Sequence, residues 1–538
     1  MEESESKTLF RLGQRVHSAG DPRRIGTVRY VGPVQGYSGT WIGVDWDNGD
    51  GKHDGSANGV RYFQAKSERS GSFVRAKNLS SGISLLEALQ LRYRGDTTKE
   101  EEDEMYVLSA SNKRVSVQLM GKDKIQDKLS RFEELTGASV SYLGVSSTGD
   151  PRDFGTILPN LKELDLTGNL LSDWKDVGII CKELPALSAL NLSYNLMTKE
   201  IVGMPQLKSI HILVLNNTSL KWKEVEILKH SLPAVEELHL MGNYISTIEP
   251  ASSFTVQGFD SLRLLNLEDN CIADWKEIFK LSQLRSLEQL HLNKNELSCI
   301  FYPGDNMMNQ LPCGYELDEK SFKPFQNLRC LLLGGNNIED LASIDSLNSF
   351  PKLVDIRLSE NPIADPGQGG IPRFVLIARL AKVEILNGSE VSHRERKDSE
   401  IRYVRLVMSK LQGSPEDINQ LHPRFSELKD FHGIDYEKPS VGLAGPQKMA
   451  SGLLSINLKC VGASIGEKPP LTKKLPGTTT VGKLKSLCES FFKLKSIKLK
   501  LFLQEEGSPL PVLLNDEMAS LVDLGIGNGT TILVDEHD

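Results

Sequence analysis

The chain has 538 residues, of which 39% are hydrophobic and 25% charged, and its formal net charge is −8. This length predicts several domains, and the composition argues against a mainly disordered, collagenous or membrane-embedded protein. The acidic balance disfavours nucleic acid as the main partner, because binding to phosphates needs an excess of basic residues.

The first predicted domain covers residues 8–80 and has the opposite charge from the rest of the chain. It contains eleven Lys and Arg against six Asp and Glu, a net of +5, which leaves −13 for the remaining residues. Short strands separated by glycine-rich turns are predicted at 26–32, 41–46 and 71–75, as in a small β-barrel. We therefore expect an acidic ligand to bind at this end of the protein.

A connector is predicted over residues 81–135, with helices at 83–93 and 125–135 separated by the acidic run 100–104. Its residues suggest no chemistry of their own. Their expected role is to join the barrel to the segment that follows.

Residues 136–411 are predicted to form a leucine-rich-repeat solenoid. The pattern L-x-x-L-x-L-x-x-N-x-L occurs eight times, at intervals of 26, 23, 25, 27, 25, 41 and 25 residues. The copies begin at Leu161, Leu187, Ile210, Val235, Leu262, Leu287, Leu328 and Leu353. Each repeat predicts a short strand whose leucines point inward, and stacked repeats bury a continuous core. The long interval marks an insertion at 301–320.

The repeated asparagines are predicted to be structural and not part of a binding site. They are Asn169, Asn195, Asn243, Asn270, Asn295, Asn336 and Asn361, and Thr218 takes this position in the third copy. An irregular first repeat is expected around Val140, Leu143 and Val145. Residues 385–391 should cap the other end, followed by a charged helix from 393 to 411.

A linker is predicted over residues 412–451, and a further domain over 452–536. Strands are expected at 454–459, 471–476, 497–503 and 530–534, with a helix at 481–492. This order predicts an α+β ubiquitin-like roll. The fold class is therefore multidomain: a β-barrel-like domain, an α/β solenoid and a C-terminal roll.

Residues 26–75 resemble a CAP-Gly domain, because Gly51-Lys-His-Asp-Gly55 occupies the position of the family's signature loop. The resemblance implies recognition of acidic C-terminal tails that end in an aromatic residue, as in α-tubulin. Lys52 and His53 would contact the tail, although the commonest family signature has Asn in place of His53. The expected aromatic wall comprises Trp41, Trp46 and Phe63, and the loop-shaping residues are Gly51, Asp54 and Gly55.

A CAP-Gly-like start, leucine-rich repeats and a ubiquitin-like end together resemble the tubulin-folding cofactor E family over nearly the whole chain. The resemblance implies a chaperone, without enzymatic activity, that binds α-tubulin and helps to assemble or dissociate the α/β-tubulin heterodimer. Other tubulin-folding cofactors and a small GTPase are implied as partners. The ubiquitin-like domain would dock on another cofactor, the proteasome or the chain's own solenoid. The alternative is a microtubule-associated scaffold without folding activity.

An enzyme is not expected. The G-x-S-x-G pattern around Ser464 lies between two predicted strands, whereas a nucleophile elbow joins a strand to a helix. The seven cysteines are odd in number and never spaced as C-x-x-C, so neither a disulfide framework nor a thiolate zinc site is expected. No metal, cofactor or membrane contact is predicted. The acidic first residues favour a cytoplasmic location, with association to the cytoskeleton through tubulin.

Overall fold

The computed structural model describes a chain that divides into two compact units, residues 1–272 with 277–290 and residues 273–276 with 291–538. The described residues are 10–94, 106–108, 114–116, 130–150, 154–201, 203–250, 254–302, 324–365, 370–410, 415–434, 453–462, 468–494, 498–504, 511–514, 517–521 and 524–536. Ser464 and most of the insertion at 301–320 lie outside the described residues. None of the described helices is long and apolar enough to span a bilayer.

The first unit begins with a five-stranded antiparallel sheet. The strands of this region are β1 (Arg15–Ser18), β2 (Asp21–Val34), β3 (Tyr37–Trp46), β4 (Ser56–Ala57), β5 (Val60–Arg61), β6 (Gly71–Val74) and β7 (Leu79–Ser80). The order in the sheet is β6-β3-β2-β1-β7, and β4 and β5 form a separate hairpin. Alternate residues of β3 point to one side, where Ile42, Val44 and Trp46 are buried against Val16 and Val28.

The connector is only partly helical. Its elements are β8 (Ile83–Ser84), α1 (Leu85–Tyr93), β9 (Tyr106–Leu108) and β10 (Arg114–Ser116). Ser84 and Glu87 form a capping box, which explains why α1 begins at Leu85. The paired strands β9 and β10 contradict a purely helical connector, and the second predicted helix ends in a single 3-10 turn, Phe132–Glu134. Residues 125–129 lie outside the described part of the chain.

The repeats of the first unit form parallel strands. Their elements are β11 (Gly137–Ser139), β12 (Val145–Ser147), α2 (Phe154–Ile157), β13 (Glu163–Asp165), α3 (Trp174–Glu183), β14 (Ala189–Asn191), β15 (Ile212–Val214), α4 (Trp222–Leu228), β16 (Glu237–His239) and β17 (Leu264–Asn266), followed by α5 (Trp275–Phe279) and β18 (Gln289–His291). Strands β11 and β13 to β17 pair in sequence order. The middle residue of each strand from β13 to β17 is a buried leucine whose two neighbours in the strand face outward, as the pattern predicts.

The repeated asparagines bond the backbone between successive turns, which confirms their structural role. Asn243 is fully buried and donates from Nδ2 to the carbonyls of Leu215, 2.8 Å away, and Leu240, 2.9 Å away. Its Oδ1 accepts from the backbone N–H of Thr218 at 2.8 Å. One side chain therefore satisfies buried groups of its own turn and of the preceding turn, where no water is available to replace it.

We expect Asn243→Ala to destabilise the solenoid locally by about 2 kcal/mol, because it leaves buried donors and acceptors unpaired. The measurement is amide hydrogen exchange of the full chain, in which residues 213–245 should exchange about 30-fold faster. The control is Asn191→Ala, because Asn191 lies half-buried on the outward face and its Oδ1 accepts from the N–H and the hydroxyl of Ser193, a neighbour in the same turn. Equal exchange in the two variants would contradict the structural role of Asn243.

The second unit contains the last repeats and the cap. Its elements are β19 (Cys330–Leu332), α6 (Leu341–Ser346), β20 (Asp355–Arg357), α7 (Arg373–Arg379), β21 (Ile385–Leu386), β22 (Ser389–Glu390), α8 (His393–Lys410), α9 (Pro415–Leu421) and α10 (Phe425–Phe431). The hairpin of β21 and β22 ends the parallel array. It lies where the sequence predicts the cap.

The predicted linker at 412–451 begins too early. Phe425 and Leu428 of α10 are buried against Tyr403 and Val404 of α8 in one apolar cluster. His432 Nε2 lies 2.9 Å from the buried Glu400 carboxylate. Because these contacts bury apolar side chains and give a buried carboxylate a hydrogen-bond partner, the described residues 415–434 belong to the cap.

The last domain has the predicted topology of a ubiquitin-like roll. Its elements are β23 (Leu453–Cys460), β24 (Leu471–Pro476), α11 (Val481–Phe492), β25 (Leu499–Gln504), β26 (Val512–Leu513) and β27 (Thr531–Glu536). The sheet order is β24-β23-β27-β25-β26, with β23 and β27 parallel. Val481, Leu484 and Cys488 of α11 are fully buried on the sheet. The predicted multidomain fold class is confirmed.

Candidate functional site

The loop at residues 51–55 is held against the strand that begins at Gly71. The backbone N–H groups of Lys52 and His53 donate to the Gly71 carbonyl at 2.7 and 3.1 Å, and the Gly71 N–H donates to the His53 carbonyl at 2.8 Å. A Cβ on Gly51 would lie 2.3 Å from the Ser70 carbonyl carbon. The glycines of the signature therefore allow the backbones to approach closely.

Asp54 stabilises this loop through hydrogen bonds within the turn. Its Oδ1 accepts from the Ser56 N–H at 3.1 Å, and its Oδ2 accepts from the Arg61 guanidinium at 2.6 Å. The hydrogen bonds from Ser56 hold the pKa of Asp54 below its usual value. The carboxylate therefore stays ionised and engaged in the turn, which leaves Lys52 and His53 as the polar side chains available to a ligand.

Lys52 is exposed, and its ammonium has no hydrogen-bond or ion-pair partner among the residues that the structure describes. The His53 ring is half-buried, and its Nδ1 accepts from the Gly55 N–H at 3.0 Å. Because Nδ1 is an acceptor, the ring hydrogen is on Nε2. The loop thus combines an exposed ammonium with a neutral imidazole N–H donor.

An aromatic cluster lies beside the loop. The His53 ring lies 4.8 Å from the Phe73 ring, and Phe73 packs edge-on against Phe63 at 5.6 Å, Tyr62 at 5.4 Å and Tyr30 at 6.2 Å. Phe63 was predicted to line the wall, but it is buried beneath the cluster and supports it from below, whereas the other four rings are half-buried. The cluster can therefore offer apolar surface to an aromatic side chain of a ligand.

Sequence reasoning did not assign Tyr30, Tyr62 and Phe73 to this face. Gly43 could have indicated that aromatic rings pack on this side of the strand. It lies on the side of β3 opposite the buried Ile42 and Val44. A Cβ at Gly43 would lie 2.5 Å from the Phe63 ring. A glycine inside an otherwise apolar strand often indicates that another group approaches the backbone closely, as the Phe63 ring does here.

The two predicted tryptophans lie on opposite sides of β3. Trp46 is only 1% exposed and belongs to the barrel core, so it cannot form a wall open to a ligand. The alternation of side chains along the strand explains this correction. Trp41 is half-buried on the other side, with the Arg75 guanidinium stacked 3.7 Å from its ring centroid and Tyr37 at 5.9 Å. Trp41 thus shares the side of β3 that carries Gly43.

The described residues contain no group of three or more His, Cys, Asp and Glu side chains placed to hold a metal ion. Burial raises the pKa of Cys181 and Cys488 to about 12, so these thiols are protonated and are poor nucleophiles. The face beside the signature loop is the candidate site because an exposed ammonium, an imidazole N–H donor and an aromatic cluster meet there, and it is suited to binding.

We expect the signature loop to lose stability as the pH falls from 7.5 to 5.5. Burial lowers the pKa of His53 below 6.5, a direction that Asp54 opposes and Lys52 supports. The unfolded state therefore takes up the proton first, so stability declines below the unfolded-state pKa. Protonation also places a hydrogen on Nδ1, against the Gly55 N–H.

The measurement is hydrogen exchange of the full chain, expressed as protection factors of residues 51–63. Wild-type protection should fall as the solution is acidified. His53→Asn serves as the control, because an asparagine can accept the same hydrogen bond without titrating. The same decline in both proteins would refute this role of His53.

The chain is similar to known proteins along its whole length. The family model of the CAP-Gly domain matches residues 12–79. The chain is 66% identical to tubulin-folding cofactor E of Arabidopsis thaliana over the full length of both proteins. It is 30% identical to tubulin-specific chaperone E of Xenopus laevis, over 97% of this chain and 100% of that protein. The solved ubiquitin-like domain of mouse tubulin-specific chaperone e aligns at 26% identity with 18% of this chain and 96% of that domain, with a TM-score of 0.15.

Proposed function

The chain belongs to the family of tubulin-folding cofactor E, also named tubulin-specific chaperone E, and we propose that it binds α-tubulin at two places as a non-enzymatic chaperone. The first place is the face beside the signature loop of residues 51–55, called the CAP-Gly face from here on. It binds the acidic C-terminal tail. The second is the solenoid, which holds the folded body. Binding at both places would help to assemble or dissociate the α/β-tubulin heterodimer.

The observation that carries this proposal is the exposed Lys52 ammonium, which has no partner among the described residues, beside a half-buried aromatic cluster. Lys52 would form a charge-assisted hydrogen bond with a tail carboxylate, and the Nε2–H of His53 could donate to a second one. The rings of Tyr62 and Phe73 would contact the terminal aromatic residue of the tail. The net charge of +5 over residues 8–80 would attract the tail and make its binding dependent on salt.

The contact with the tail and the contact with the body reinforce each other. Once one of them has formed, the second part of the same α-tubulin molecule is held near its own site at a high effective concentration. Dissociation of the heterodimer then requires only that the chain bind free α-tubulin more tightly than α-tubulin in the dimer. No covalent step is needed. We further propose a cytoplasmic location, with other tubulin-folding cofactors, a small GTPase and the proteasome as candidate partners.

Size-exclusion chromatography of the full chain mixed with tubulin heterodimer tests this function. The mixture is run once with the other tubulin-folding cofactors and once without them. The proposal predicts that α-tubulin elutes with the chain and that β-tubulin is released. The scaffold alternative predicts instead that the chain sediments with microtubules and leaves the amount of polymer unchanged. That second result, with no α-tubulin complex in any mixture, would overturn the proposed chaperone function.

A further inference from the structure

A hollow of about 420 Å³ lies on the outward face of the first solenoid strands, within the first unit. Strands β11 and β13 to β15 form its floor, and the Tyr93 side chain of α1 borders it. The Tyr93 hydroxyl accepts from the Ser139 N–H at 2.8 Å, which fixes the ring at the edge of β11. The hollow exists because Gly137 and Ala189 are small where neighbouring strands carry longer side chains.

The parallel register aligns the outward residues into rows across the strands. In the first row Glu163, Ala189, Ile212 and Glu237 are direct neighbours on β13 to β16. An apolar pair is therefore bracketed by two carboxylates. With a strand spacing of about 4.8 Å, the two glutamates are separated by roughly 14 Å along the row.

The second row reinforces the acidic character of one side. Asp165 Oδ2 accepts from the hydroxyls of Ser139 at 2.9 Å and Ser141 at 2.6 Å, and Oδ1 accepts from Thr167. These donors keep the carboxylate in place beside Glu163. At the other end, His239 Nε2 lies 3.5 Å from Glu237. Val214 continues the apolar floor next to Ile212.

We propose that this hollow is the place where the solenoid holds the body of α-tubulin, through an apolar side chain flanked on both sides by basic residues. The inference rests on the proposed function. The apolar side chain would lie on Ala189 and Ile212, and the basic groups would pair with Glu163 and Glu237. In an extended segment, residues four positions apart are separated by about 13–14 Å, which matches the separation of the Glu163 and Glu237 positions along the row.

The charges of the two sites are opposite. The CAP-Gly face is basic and suits an acidic tail, whereas the hollow is acidic and suits a basic, apolar segment. A single ligand that carries both features can bind both sites without competition between them. An acidic peptide alone should bind only at the CAP-Gly face.

The test uses the full chain and three probes: intact tubulin, tubulin whose acidic tails have been removed by limited proteolysis, and a labelled tail peptide. Two variants change the hollow. Ala189→Trp fills it, and Glu163→Lys reverses one of its charges. Both should weaken binding of tail-less tubulin at least tenfold and leave the affinity for the tail peptide unchanged. The control Glu200→Lys makes the same charge change at an exposed position outside the strands and should change neither affinity.

Circular dichroism establishes whether each variant is folded. Glu163→Lys changes an exposed side chain, so it keeps the test valid if Ala189→Trp does not fold. Tail-less tubulin that binds both folded variants as tightly as wild type would overturn the inference and leave the proposed function intact. Tail-less tubulin that does not bind wild type would overturn the inference together with the proposed body contact. The tail-peptide measurement would then show whether tail capture stands alone.

Discussion

Gly55→Ala is expected to destabilise the signature loop by at least about 4 kcal/mol, the largest effect of any single substitution considered for this domain. Gly55 has a φ of +98°, and a Cβ on it would lie 2.0 Å from the Phe63 carbonyl oxygen. Because that neighbour is backbone, relief requires the chain at Phe63 to move. The aromatic cluster would move with it, so tail binding should be lost as well.

Gly59→Ala is the matched control for the backbone conformation. Gly59 has a similar φ of +79°, but a Cβ there would meet no atom within 4 Å. We expect it to cost only about 1–2 kcal/mol, the usual penalty for a left-handed alanine. Hydrogen exchange of residues 12–79 in the full chain distinguishes the two variants. Equal exchange would show that the close approach at Gly55 is not what constrains the loop.

Lys52→Glu is expected to weaken binding of an acidic tail peptide by at least about 30-fold, and Lys52→Ala by about tenfold. The alanine variant removes one charge-assisted hydrogen bond, worth roughly 1.5–3 kcal/mol, and the glutamate adds repulsion. Because the wild-type ammonium has no described partner, its loss leaves no group in the described loop unpaired. The fold of the domain should therefore be unchanged in both variants.

Lys77→Ala removes an exposed lysine from the same domain and controls for a general loss of positive charge. It should lower the affinity less than threefold. Fluorescence anisotropy titrations at two ionic strengths provide the comparison, since the Lys52 effect should shrink as salt screens the tail. Lys52→Ala with wild-type affinity would mean that the signature lysine does not contact the tail.

The solenoid could be predicted from the sequence because its physics is repetitive. Each L-x-L with a following asparagine uses the same backbone bonds, so residues such as Leu164 and Asn243 have the same environment from repeat to repeat. Because each repeat contacts only its neighbours, the local pattern largely determines its structure, and distant parts of the chain have little influence. The same reasoning indicated which residues face outward, though not that Ala189 and Ile212 would form a hollow.

The candidate site was less predictable, because it depends on which side of a strand each residue faces. Trp41 and Trp46 are separated by five positions on one strand, and a period of two places them on opposite faces. The sequence alone did not indicate which face was the core. Likewise Phe425 and Leu428 form one turn of a short helix whose burial depends on the distant Tyr403, so local composition made this segment resemble a linker.

The most direct test of tail capture is the anisotropy of a labelled acidic peptide ending in Glu-Glu-Tyr, titrated with the full chain. A second peptide that lacks the final Tyr serves as the comparison. We predict saturable binding that weakens with salt and falls at least tenfold when the terminal aromatic residue is absent. An absence of saturable binding at low ionic strength would contradict the assignment of the CAP-Gly face as the tail-binding site.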